Sequence, residues 1–168
     1  PAIGCGLSSG MYMHDIVLAL QNFHLPPGRL NLIPGIRESL LIDSSYNSSP
    51  EAVKMALSTL RELGNISGAI PQRKIFVFGN MNELGIHSAR EHRDISSYLH
   101  GFVDVLITIG DDAKKTAEEV LKKKILPENT VHSFPDTAAA RDFIKGILQQ
   151  HDLVLIKGSQ NRVRLEKL

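Results

Sequence analysis

Four short stretches of this sequence hold residue types able to bind or orient a ligand, and each follows an apolar run: Asp43-Ser44-Ser45-Tyr46-Asn47, Gly79-Asn80-Met81-Asn82-Glu83-Leu84-Gly85, Gly110-Asp111-Asp112 and Lys157-Gly158-Ser159-Gln160. Asp43 comes directly after Leu40-Leu41-Ile42. A carboxylate there can accept hydrogen bonds from ribose hydroxyls or a metal-bound water, or it can cap a helix beginning near Pro50. Tyr46 and Asn47 add an aromatic face and an amide, more recognition chemistry than a turn requires. Lys157 follows Leu153-Val154-Leu155-Ile156 with Gly158 beside it, so a cation and unhindered backbone meet at one corner. Such a corner suits phosphate or carboxylate. Taken singly, each stretch also reads as a turn with a helix cap, and for Gly110-Asp111-Asp112 cap chemistry explains the whole stretch.

Other candidates carry less. His87 and His92 are five residues apart, whereas two ligands on one helix face need a spacing of three or four, so no metal site is expected there. The remaining histidines are scattered. Cys5 has no neighbour that would activate it and, as the single cysteine, excludes an internal disulfide; a reducing cytoplasm suits the chain. Lys122-Lys123-Lys124 ends a predicted helix, where positive charge complements the helix dipole.

The elements that must position these groups alternate regularly. Strands are predicted at Leu30–Ile33, Ser39–Ile42, Lys74–Phe78, Val103–Ile109, Thr130–Phe134 and Leu153–Ile156. Between them, helical periodicity marks Pro50–Leu63, about Ser88–Leu99, Ala113–Lys124 and Thr137–Gln149. Near-continuous apolar strands alternating with helices predict a Rossmann-like, doubly wound, mostly parallel α/β sheet with helices on both faces. In such a sheet ligands bind beyond the carboxyl ends of the strands, where the polar stretches fall. Upstream, Met13, Ile16, Val17 and Leu20 predict one short helix over Ser9–Phe23, with Ser8 or Ser9 as its cap. Leu25-Pro26-Pro27-Gly28-Arg29 then reads as an interdomain linker, two prolines stiffening it and Gly28 allowing a turn.

The 168 residues, 42% hydrophobic and 22% charged, suit one compact core, and a net charge of +1 advertises neither a nucleic-acid nor a membrane surface. No apolar run approaches the roughly 20 residues needed to span a bilayer. The chain opens on Pro1 with an amphipathic segment almost at once, which reads as a piece of a longer protein. Neither a Gly-x-x-x-x-Gly-Lys-Ser/Thr phosphate loop nor a Gly-x-Gly-x-x-Gly fingerprint occurs. The second absence disfavours a nicotinamide enzyme.

Taken in order, Pro27-Gly28-Arg29, Leu41-Ile42-Asp43-Ser44-Ser45-Tyr46-Asn47, Gly79 to Gly85, His92 and Lys157-Gly158-Ser159 resemble the C-terminal domain of the Mur ligases, in the branch that adds D-alanyl-D-alanine. The resemblance covers essentially the whole chain. It implies that residues 1–26 are the tail of a preceding central ATPase domain with its linker, and that 27–168 form the C-terminal, Rossmann-like domain. It further implies an ATP-dependent ligase of peptidoglycan synthesis that joins D-alanyl-D-alanine to UDP-MurNAc-tripeptide through an acyl phosphate. ATP and Mg2+ would be held mainly by the central domain, and no catalytic or metal-binding residue is expected in this segment. Arg29 would reach ATP, Asp43 would hold its ribose, and Tyr46 and Asn47 would line the nucleotide side. Lys157 and Ser159, with Gly158 between them, would face the incoming dipeptide; Asn80, Glu83 and His92 would support.

Three positions depart from the family pattern, each losing a charge: Ser44 stands where a second acid is usual, Asn80 where Asp is, and Gln160 where Arg is. They leave room for a divergent or weakened ligase. Another Mur-type ligase with a different amino acid substrate, and a non-catalytic flavodoxin-like binding module, are the alternatives; Ser45-Tyr46-Asn47 and Glu83-Leu84-Gly85 speak against the first of them.

Overall fold

The computed structural model describes residues 1–64 and 73–159. Six strands form one sheet: β1 (Asn31–Pro34), β2 (Leu40–Ser44), β3 (Lys74–Gly79), β4 (Val105–Ile109), β5 (Val131–Phe134) and β6 (Leu153–Lys157). Their order is β1-β2-β6-β3-β4-β5. Every neighbouring pair is parallel except β1 with β2. All five residues of β4 and all but the first of β3 are buried, as central strands covered on both faces must be.

Four helices connect the parallel strands: α3 (Pro50–Leu63), α4 (Ser88–Ile95), α5 (Asp111–Lys122) and α6 (Thr137–Ile147). Helix α3 starts where Ser49 accepts a hydrogen bond from Ala52 N at 3.3 Å and Pro50 supplies a preset first turn. Its buried Val53, Ala56, Leu57 and Leu60 share one face with the apolar stripes of α4 and α5, over Ile42, Phe76, Phe78 and Leu106. Helix α6, capped by Asp136 accepting from Ala139 N at 2.9 Å, lays Ala140 and Ile144 against Ile75, Val77 and Ile107 on the other face. The helices therefore divide three to one between the faces. The step from β2 to β3 leaves a place between them, and after α6 crosses back on the opposite face β6 fills it. That late insertion sets the carboxyl ends of β2, β6 and β3 side by side.

Several predicted boundaries move. The segment predicted as one helix over Ser9–Phe23 is two, α1 (Ala2–Ser8) and α2 (Met13–Gln21), separated by a turn in which Gly10 takes φ +81°. Ser9 ends α1 instead of capping α2, which starts after Tyr12 with no side-chain cap. Strand β1 runs Asn31–Pro34, is largely exposed and antiparallel, and Pro34 is tolerated because it lies on the edge. Helix α4 stops at Ile95 and tightens into a 3₁₀ turn over Ser96–Tyr98, and β4 begins at Val105, not Val103. The third departure from the family pattern's charge, Gln160, lies outside the described residues.

Candidate functional site

Strand pairing decides what meets at the carboxyl edge. Lys157 sits opposite Ser44 on one side and Phe78 on the other, so the loops after β2 and β3 flank the end of β6. Tyr46 and Asn47 come together with Lys157 on the β2 side, and Ser159 with Asn80 and Asn82 on the β3 side.

On the β2 side, Asp43 Oδ1 accepts from Ser45 N at 3.1 Å, an Asx turn that bends the chain away from the sheet. Asp43 does not cap α3; Ser49 does. The linker docks on this loop: Gly28, at φ +75°, accepts from Tyr46 N at 3.1 Å, and a side chain in its place would run into the Tyr46 backbone at 2.9 Å. Glycine is required there by both conformation and space. With the linker held, the Arg29 guanidinium lies 4.6 Å from the centre of the Tyr46 ring. Leu25, Leu30, Ala52 and Met55 wall the cleft of about 460 Å³ that Arg29, Tyr46, Asn47 and Lys157 also line. A largely apolar slot with one aromatic face and one guanidinium fits a flat heteroaromatic base carrying anionic groups.

Lys157 is only 2% exposed. Its Nζ donates to the carbonyls of Ser44, at 3.2 Å, and Asn47. Burial pushes the ammonium down from 10.5 to about 8. Ser159, also buried, donates its N–H to Asn80 O at 3.0 Å and accepts from Asn82 N at 3.2 Å through Oγ. Lys157-Gly158-Ser159 is thus a crosspiece fastened to both neighbouring loops.

On the β3 side a second cleft of about 460 Å³ is bounded by Asn82, Glu83, Gly85, Ser88 and Asp112. Glu83 is exposed and takes φ +65°. The Lys115 side chain bonded to Asp112 holds that carboxyl below its usual range. Two buried side chains carry this loop. His92 Nε2 accepts from Met81 N at 2.9 Å, which makes Nδ1 the protonated nitrogen, donating to Ser88 O at 2.8 Å. Desolvation lowers its pKa, so the ring works as a neutral brace. Asn80 Oδ1 accepts from Ala113 N at 2.8 Å and so caps α5 from the end of β3. The cap expected from Asp111 and Asp112 is absent: the N-cap is Gly110 at φ +99° with no side-chain bond, and both aspartates lie in the first turn.

Sequence reasoning missed Met55 and Leu25 in the first cleft and Ser88 in the second, and gave Asp112 only a cap role. Met55 is 69% exposed within α3, off the face that periodicity marks as core, and that mismatch was the available signal. Among the described residues no group of three or more His, Cys, Asp or Glu is placed to hold a metal ion. No helix among them is long and apolar enough to cross a membrane.

These features define a Rossmann-like α/β domain whose ligand surface lies along the carboxyl edge of parallel strands. The chain belongs to the Mur ligase family: the model described as "Mur ligase, glutamate ligase domain" matches residues 28–160. It is 28% identical over 160 residues to the UDP-N-acetylmuramoyl-tripeptide--D-alanyl-D-alanine ligase of Rickettsia prowazekii, covering 95% of this chain and 31% of that protein. The ligase of the same name from Bacillus subtilis is 25% identical over 168 residues, covering 99% and 35%. A crystal structure of MurF from Acinetobacter baumannii superposes with a TM-score of 0.76 at 27% identity, over 96% of this chain and 34% of that one. A MurF ligase from Thermotoga maritima in complex with ADP, at TM-score 0.75 and 24% identity over 98% of this chain and 34% of that one, shares the fold. The chain spans about a third of the length of the relatives it matches.

Proposed function

We propose that the chain is the closing C-terminal domain of an ATP-dependent ligase that joins D-alanyl-D-alanine to UDP-MurNAc-tripeptide in the cytoplasm. The observation that carries this reading is the pairing of two clefts across β6, the first walled by Arg29, Tyr46 and Met55, the second rimmed by Glu83 and Asp112. The relatives' shared name supplies the substrates.

In this reading the first cleft takes the ATP base, with Arg29 directed to its phosphates, Asp43 to its ribose, and Tyr46 and Asn47 along its side. The second cleft, with the backbone at Gly158, receives the incoming dipeptide, whose ammonium the Glu83 and Asp112 carboxylates would attract. Lys157 and Ser159 serve both by holding the loops in place, and Asn80 and His92 brace the second. Chemically the domain contributes position and exclusion of water, which matter because an acyl phosphate left open is hydrolysed. The apolar residues Ile3, Leu7, Met13 and Val17, each more than 40% exposed on α1 and α2, fit the expectation that residues 1–26 are the tail of a preceding central ATPase domain with its linker.

The test is ATP-dependent phosphate release by the complete polypeptide with UDP-MurNAc-tripeptide, with and without D-alanyl-D-alanine. Release that requires the dipeptide and falls in Tyr46→Ala supports the reading. Release indifferent to the dipeptide rejects it in favour of another acceptor. The 168 residues alone, lacking a phosphate loop, are expected to show no turnover.

A further inference from the structure

An ammonium at the mouth of a nucleotide cleft invites assignment as a phosphate or carboxylate ligand, yet the geometry at Lys157 is already filled. Two of its three donors end on the carbonyls of Ser44 and Asn47, which bracket the loop that carries Tyr46. With the residue 2% exposed, little of the side chain is open to the cleft that it borders. Register explains why it is there: β6 pairs Lys157 with Ser44, and the side chain rises on the α3 face under the loop joining β2 to α3. That loop makes few bonds of its own. Besides the Asp43 Asx turn, the bond from Tyr46 N to Gly28 O ties it to the linker, not to the sheet.

We propose that Lys157 is a positioning residue, clamping the Ser44 and Asn47 carbonyls so that Tyr46 and Arg29 form the base-binding wall, and that it is not itself a ligand for substrate anions. The ligand part of this inference rests on the nucleotide reading above; the loop part stands without it.

The clamp acts on shape, so its loss weakens charged and uncharged nucleoside ligands alike. A phosphate contact would weaken only the charged one. The experiment compares the 168-residue chain with its Lys157→Met variant, which keeps the side chain's length and removes its donors. Backbone amide exchange of residues 45–48 is measured by NMR, and adenosine, ADP and pyrophosphate are titrated separately. Expected are exchange about tenfold or more faster in the loop, corresponding to loss of a bond worth about 1.4 kcal/mol, and equal factors of weakening for adenosine and ADP. Unchanged loop exchange overturns the proposal, and so does ADP weakened with adenosine binding intact. If the unsubstituted chain binds neither nucleoside, the titrations are made on the complete polypeptide, where absence of binding rejects the nucleotide reading, while loop exchange in the 168-residue chain still decides the clamp. If the variant does not fold, the unsubstituted chain decides: a Lys157 Nζ signal whose protons exchange slowly and which pyrophosphate leaves unmoved supports the clamp, and one shifted by pyrophosphate overturns it.

Discussion

Replacing Asn80 separates two things its side chain could supply, an acceptor and a shape. Oδ1 receives the Ala113 N–H at 2.8 Å in a buried setting, and α5 has no other side-chain cap. The fit with Gly110 is close: a Cβ there would meet the Asn80 amide at 2.8 Å, so glycine and asparagine are matched. Asn80→Ala removes the acceptor and strands a buried N–H. Losing a cap costs about 1 kcal/mol and leaving a buried donor unpaired about 1–3 kcal/mol; because both describe one bond, the expected loss is about 2 kcal/mol. For a chain of this size that lowers Tm by about 4–8 °C. Asn80→Asp restores the acid usual in the family and keeps the acceptor. Its charge near the positive end of α5 is worth about 0.5–1 kcal/mol, opposed by Asp111 and Asp112 in the same first turn. The net change should therefore stay within about 1 kcal/mol of the native chain. Urea and thermal unfolding of both variants provide the measurement. An Asn80→Ala variant as stable as the native chain, or an Asn80→Asp variant that loses as much as alanine does, would refute the reasoning.

Two further outcomes follow from buried groups. His92 has a folded pKa below its unfolded value of 6.5, so the unfolded chain takes up a proton first as pH falls. Its stabilising contribution is therefore complete above about 6.5 and is lost as pH drops below that value. His132, lowered as well, shares the window, so the His92 part is the difference between native and His92→Gln unfolding curves from pH 5 to 8; equal slopes would contradict the neutral brace. The Ser48 hydroxyl is buried with no hydrogen-bond partner among the described residues, so Ser48→Ala should leave stability unchanged or raise it by up to about 1 kcal/mol, and a loss above about 1 kcal/mol in urea unfolding would count against an unpaired hydroxyl.

Strand identity was legible because β3, β4 and β6 are buried on both faces, which writes an unbroken apolar run into the chain. The order of the strands was not, since nothing local in Leu153–Ile156 says that this last strand enters between β2 and β3 instead of at an edge. That insertion is what converts separate polar turns into one surface. Side-chain direction was likewise hidden. A lysine after an apolar strand signals a cation at the sheet edge, but whether the cation faces the ligand or turns under the neighbouring loop depends on its register with Ser44, a tertiary fact. The same holds at α5, where two acids ahead of a helical pattern announce a cap that a residue thirty-three positions upstream in fact provides.

The departures from the family pattern take on physical meaning once those contacts are known. Asn80 keeps the acceptor that α5 needs, so the missing charge falls on electrostatics and leaves hydrogen bonding intact. Ser44 contributes its carbonyl to Lys157, a bond that any residue can make, and its side chain is buried beneath the loop. A second carboxylate there could pair with the buried Lys157 ammonium; the serine leaves that ammonium bonded to neutral carbonyls. Substitution at these positions therefore preserves the frame of both clefts, and any weakening of a ligase built on this domain would come from the field at the clefts and not from their shape.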